Sequence, residues 1–187
     1  MRQAPLQALL REAAEPHAGR GKQIVFAIGP SAEDGTRQPT VLRRPEVIHG
    51  LRNLIQNAVD FARGTVWVAG DWTDSDLTVR IIDDGRGFPP QVLSRLGEPF
   101  IRPRRSAAER SDRPGYEGMG LGLFIAKTLL ERSGAVVRFA NAGEPGLLRG
   151  GPAGTPQLGA MVEVIWPLGR IVAEPGKLIG RNRPITA

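Results

Sequence analysis

The sequence predicts an α+β fold, a two-layer α/β sandwich. About five strands form a mixed sheet, with three helices packed on one face. Three observations lead there. Val47, Ile48, Leu51, Leu54, Ile55, Ala58, Val59 and Ala62 draw one apolar stripe at helical spacing. Thr65 to Trp72 and Leu77 to Asp83 alternate and are β-rich, with Asp74-Ser75-Asp76 between them as a hairpin turn. A glycine-rich lead, Gly118-Met119-Gly120-Leu121-Gly122, runs straight into an apolar helix that continues to about Arg132.

The remaining elements follow in order. Leu6, Leu9, Leu10 and Ala13 make residues 5–14 a short amphipathic helix, broken by Gly19-Arg20-Gly21. Ile24 to Ile28 reads as a strand, and Thr40 to Arg43 as its hairpin partner across a polar turn region. Pro45 suits the first position of the long helix and Glu46 its positive end. Gly64 is the expected C-terminal stop. Asp84 to Pro90 is a loop and Gln91 to Leu96 a short helix. Residues 97–117 show no periodicity, and so long a stretch within a compact domain suits a lid. Val136 to Ala140 and Met161 to Trp166 are strands flanking a Gly/Pro-rich excursion. From Gly169 on, a basic, mobile tail is expected.

At 187 residues the chain is one domain or a small two-lobed one. No apolar run approaches the roughly 20 residues of a membrane span, and the start shows no signal-peptide pattern. The absence of cysteine excludes disulfides and thiolate metal sites. A net charge of +6 favours polyanionic ligands: nucleotide, nucleic acid or an anionic membrane. No basic stripe interleaved with aromatics and no helix-turn-helix spacing supports nucleic acid, so no direct nucleic-acid partner is expected.

Asn53 and Asn57 lie four residues apart on one face of the long helix, beside its apolar stripe, with His49 a turn earlier. Two amides at this spacing can offer oxygens to a hard cation and N–H groups to phosphate. They also suit a helix surface bonded to nearby loops. Asp83-Asp84-Gly85-Arg86-Gly87 brings a carboxylate to a strand's end, then turns on two glycines. Asp83 is the candidate acceptor for an adenine amino group, since Asp84 points the other way if alternation continues. A plain strand-to-turn transition is the alternative. Phe100, Arg102, Arg104 and Arg105 lie in the lid stretch, where planar guanidinium groups suit phosphate oxygens and Phe100 suits an anchor. Gly118, Gly120 and Gly122 leave N–H groups uncovered at a helix start, a seat for phosphate. Gly118 and Gly122 also fit a small-residue helix contact. A dinucleotide fold is set aside, since Leu123 stands where its third glycine belongs.

Taken in order, these stretches resemble the ATP-binding catalytic domain of sensor histidine kinases, in the superfamily shared with gyrase, Hsp90 and MutL-type ATPases. Leu51-Arg52-Asn53-Leu54-Ile55-Gln56-Asn57-Ala58 resembles the N box, and Asp83-Asp84-Gly85-Arg86-Gly87-Phe88-Pro89 the first glycine box. Glu98-Pro99-Phe100 resembles the F box, and Gly118 to Leu123 the second glycine box. The match covers roughly residues 5–168, with the ATP lid at 97–117. Gly122 to Gly134 further resembles the redox-responsive Reg/Prr kinases.

The resemblance implies a Bergerat-type fold that binds ATP and Mg²⁺. Asn57 would ligate the metal with Asn53 assisting, and Asp83 would hold adenine while Gly85 and Gly87 let the base approach. Phe61 would cover the adenine face, a stacking contact worth roughly 1–3 kcal/mol. Phe100 and Arg102 would belong to the lid. Gly118, Met119, Gly120, Leu121, Gly122 and Leu123 would form the phosphate edge. ATP-hydrolysing relatives carry a glutamate where Asn53 stands. An amide cannot take a proton from water at neutral pH, so the site is expected to keep its γ-phosphoryl group for another acceptor. Many relatives carry a basic residue where this chain has Asp60, so a lid arginine replaces that charge or phosphate affinity falls.

The acceptor histidine is absent: His17 and His49 both lack the expected acidic neighbour. The expectation is a C-terminal piece of a larger sensor, the cytoplasmic domain of an inner-membrane kinase, unable to autophosphorylate alone. Its partners would be the dimerisation domain of the same kinase and a response regulator, with membrane contact only through upstream regions. An anti-sigma-type serine kinase and a nucleotide-sensing scaffold without transfer are the alternatives.

Overall fold

A computed structural model of the chain describes residues 2–29, 38–96, 119–141 and 159–173. Its centre is helix α2 (Pro45–Phe61), which follows the short helix α1 (Leu6–Ala14). Pro45 opens α2 because its missing N–H costs nothing in a first turn. Val47, Leu51, Leu54, Ile55, Ala58 and Val59 are all buried, as the apolar stripe requires.

Five strands form the main sheet: β2 (Gln23–Ile28), β4 (Thr65–Trp72), β5 (Asp76–Asp83), β6 (Val136–Asn141) and β7 (Ala160–Pro167). Their order is β2-β4-β5-β7-β6. Among the described strands only the β2–β4 pair is parallel, so the sheet is mixed. The β4–β5 hairpin forms as expected, closed by the Thr73 N–H on the Asp76 carbonyl at 2.9 Å. Val66, Val68, Val79, Ile81, Val162 and Val164 turn one face of the sheet into the core, under α2 and helix α4 (Met119–Arg132). Each fully buried aliphatic side chain contributes roughly 1.5–3 kcal/mol. On the opposite face Arg80, Glu163 and Arg138 share a row, with Arg80 bonded to Glu163 at 2.9 Å.

The two helices around the core touch through a glycine. A Cβ on Gly50 would lie 2.6 Å from Leu130 Cγ, so α2 and α4 pack backbone against side chain there. At its far end α4 stops on Gly134, at φ +97°, with the Ala135 N–H on the Leu130 carbonyl at 3.1 Å. Short helix α3 (Pro90–Leu96) packs against α4.

Three expectations are corrected. The strand after the polar turn, β3 (Thr40–Leu42), does not pair with β2 but lies antiparallel to β1 (Gln3–Pro5) in a separate two-stranded sheet. Val41 is fully buried there, met by Ala4 on one side and bridged by Val172 on the other. Burial, not adjacency in sequence, selects its partner. Gly64 does not end α2: the helix stops at Phe61, where Ala62 turns extended at ψ 147°. Finally, 169–173 belong to the packed body. Helix α5 (Leu168–Ile171) buries Ile171, and the Ala173 N–H donates to the Thr40 carbonyl at 3.0 Å. Residues 174–187 lie outside the described residues. So does the expected lid, 97–117.

Candidate functional site

α2 presents Asn53, Asn57 and Phe61 on one line, each half-buried. Neither asparagine amide makes a side-chain hydrogen bond among the described residues. The surface alternative, amides satisfied by neighbouring loops, finds no such bond to any described loop. Half-buried amides without partners among the described residues suit an external ligand.

The C-terminal end of α2 meets the end of β5. Asp83 is the last residue of β5, and its register opposite Val66 points it into the helix side of the sheet. Its side chain is buried. Oδ1 accepts the Gly85 N–H at 2.8 Å and the Ala160 N–H at 3.3 Å. Burial pushes the Asp83 carboxyl above its ordinary pKa, the two N–H bonds only partly offsetting it. Asp84 faces the other way and is structural. Its two oxygens accept the N–H groups of Arg63, Gly64 and Thr65, which fixes the turn between α2 and β4.

The glycines of this loop are demanded by the protein itself. A Cβ on Gly85 would sit 2.2 Å from the Phe61 carbonyl oxygen and 2.9 Å from Asp83 Oδ1. Phe61, Gly85 and Asp83 are thus brought together at one spot. Gly87 adopts φ +83°, and a Cβ there would meet Asn141 Oδ1 at 2.7 Å.

Two residues that sequence reasoning passed over hold the loop. Asn141 accepts the Phe88 N–H at 2.6 Å and donates to the Phe88 carbonyl at 2.9 Å. Gly159 donates to the Asp83 carbonyl at 2.7 Å, and a Cβ on it would strike the Gly85 carbonyl oxygen at 2.3 Å. Their sequence signal is small: an asparagine ending a β-rich run, and a glycine opening the next.

In α4 the picture divides. Leu123 is fully buried and belongs to the core, so only its backbone is available to a ligand. Leu121 is exposed. Among the described residues a Cβ on Gly120 or Gly122 would meet nothing within 4 Å, so no described helix packs on Gly122. Met119 begins the helix, and the N–H groups of its first turn have no partner within it. Gly118, Phe100, Arg102, Arg104 and Arg105 lie outside the described residues. Asp60, flagged for its sign, is paired with Arg20 at 2.6 Å.

Residues 43–170 match the family model described as histidine kinase-, DNA gyrase B- and HSP90-like ATPase. The chain belongs to this family. Among individual ATPase-family relatives, the sensor histidine kinase RegB of Cereibacter sphaeroides is 60% identical over 182 residues. That match takes in 97% of this chain and 39% of RegB, so the chain spans about two-fifths of that relative's length. Two solved structures share the fold at low identity. The mycobacterial sensor histidine kinase MprB superposes with a TM-score of 0.58 at 21% identity, covering 89% of this chain and 96% of that one. The histidine kinase domain of the E. coli osmosensor EnvZ gives 0.58 at 20% identity, covering 100% and 95%. The family membership thus fits the fold, and the chain is homologous to the catalytic domains of sensor histidine kinases.

Proposed function

We propose that this chain is the ATP-binding catalytic domain of a two-component sensor histidine kinase. It would pass a γ-phosphoryl group to a histidine on a dimerisation domain, for relay to a response-regulator aspartate. The observation that carries this reading is the meeting of two features. The amides of Asn53 and Asn57, without a side-chain hydrogen bond among the described residues, run down α2 toward the point where Gly85 meets the backbone carbonyl of Phe61 and the buried carboxylate of Asp83. One end of the site is polar and cation-seeking, and the other suits a planar base with an amino group.

The donor set fits Mg-ATP. Asn57, with Asn53, would hold the ion through amide oxygens, a hard donor set suited to Mg²⁺ that keeps several waters. The ion supplies neutralisation of phosphate charge when bound. Asp83 accepts the adenine amino N–H, and Phe61 offers its ring to the base. The first turn of α4 donates backbone N–H groups to phosphate oxygens. Asn53 cannot serve as a general base, since an amide takes no proton near neutrality. The site therefore positions a phosphoryl group and leaves water unactivated. Phosphoryl transfer depends mostly on positioning and charge neutralisation, so an acceptor placed in line completes the chemistry. His17 is buried and so is not offered to a phosphoryl donor. The acceptor is assigned to a dimerisation domain of the same kinase, in the cytoplasm beneath an inner-membrane sensor.

Calorimetric titration with Mg-ATP tests this assignment. Asn57→Ala and Asp83→Asn are each expected to weaken binding by about tenfold or more, the loss of one charged or ion-linked contact. If both variants bind as tightly as the parent, the site is misplaced. Transfer from labelled ATP to a separately supplied dimerisation domain, with none to this chain alone, tests the reaction.

A further inference from the structure

The last turn of α2 carries no basic residue of its own, although a helix C-terminus attracts cations. The segment 18–23 supplies two. Gly19 and Gly21, at φ +81° and +82°, bend the chain across that end of the helix. Between them Arg20 donates from Nη2 to Asp60 Oδ1 at 2.6 Å. Its Nη1 lies 3.5 Å from His17 Nδ1, which steadies the guanidinium from the other side. Lys22 Nζ then donates to the Ala62 carbonyl, and the Gln23 N–H to the Gly64 carbonyl at 2.8 Å.

Asp60 is three residues beyond Asn57 and seven beyond Asn53. That spacing puts its carboxylate on the same stripe as the two amides. A bare negative charge there has the wrong sign for a polyphosphate. Both members of the Arg20–Asp60 pair are partly exposed, and such a pair adds little to fold stability. Its place on the stripe is therefore better explained by what it does to the local field. Nη2 is used on Asp60 and Nη1 lies beside His17, while the guanidinium as a whole stays partly exposed at the stripe.

We infer that the Arg20–Asp60 ion pair is part of the nucleotide site. Arg20 cancels the charge of Asp60 on the amide stripe and thereby sets the affinity for the phosphate chain. The counter-charge comes from the glycine-flanked segment before β2, and residue 60 itself does not supply it. This inference rests on the ATP reading above.

The test is a double-mutant cycle read by calorimetry, with Mg-ATP, Mg-ADP and AMP as probes, at low and high salt. Arg20→Gln is expected to weaken Mg-ATP by about tenfold or more, Mg-ADP by less, and AMP by no more than about twofold. The double variant Arg20→Gln with Asp60→Asn is expected to return to within about threefold of the parent. High salt should shrink the whole pattern. Two results overturn the inference: Arg20→Gln binding Mg-ATP like the parent, or the double variant staying as weak as Arg20→Gln. Asn57→Ala separates the two layers. If it loses Mg-ATP while Arg20→Gln does not, only the ion-pair role fails. If it also binds normally, the nucleotide reading has failed. Thermal melts of each variant show that the fold is retained.

Discussion

Asp83 and Asp84 are neighbours with opposite work, and the difference lies in where each carboxylate is aimed. Burial raises the pKa of Asp83 beyond what its two N–H bonds offset. Burial raises Asp84 as well, but the N–H groups of Gly64, Thr65 and Arg63 outweigh it and hold Asp84 below its ordinary value. A carboxylate with a depressed folded pKa contributes stability above its unfolded pKa, near 3.8, and loses it as pH falls through the folded value. Asp84→Ala should therefore cost about 2–3 kcal/mol at neutral pH. The gap to the parent, read by urea denaturation, should close as pH drops below that range. Strand alternation made the choice of Asp83 over Asp84 legible in the sequence. Ala160 was not legible as a support of Asp83, nor Asn141 as the clamp on Phe88, because their partners lie 77 and 53 residues away in the chain. No local pattern encodes such a meeting.

The helices and the hairpin were readable, since their signals are periodic and local. The start of α2 was set by Pro45 and its buried face by the stripe. Its end differs from the expected one: glycine at position 64 is a common stop, whereas the actual stop is an extended Ala62, after which Asp84, from the loop following β5, holds the N–H groups of Arg63, Gly64 and Thr65. β3 was misassigned for a similar reason: its true neighbour, β1, is short and carries no alternation. The joint between α4 and β7 makes a prediction at this scale. Trp166 donates its indole N–H to Ser133 Oγ at 2.8 Å, and Ser133 donates to the Leu130 carbonyl at 2.5 Å. All of this is buried. Ser133→Ala leaves the indole N–H without an acceptor and should destabilise the protein by about 1–3 kcal/mol. Ser133→Thr should recover much of that loss in the same melt if it is the hydroxyl that matters.

For the whole molecule, the residues after β7 close the body on its N-terminal side. Val172 bridges Val41, and Ile171 and Ala173 are buried. A chain ended at Pro167 should lose about 2–4 kcal/mol of stability, chiefly the burial of Ile171 and the bridge to β3. Differential scanning calorimetry against the full chain reads the loss. The single parallel pair in the sheet carries one more consequence. β2 and β4 run the same way, so the chain between them must cross over, and α2 is that crossover. Undocking that helix would expose the buried face of Val47, Leu51, Leu54, Ile55, Ala58 and Val59, which the rest of the core covers. The amides of Asn53 and Asn57 therefore ride on the part of the molecule that opens last. In hydrogen exchange, the backbone of α2 should be protected by close to the full free energy of unfolding. The floor of the site would stay in place through every smaller fluctuation of the protein around it.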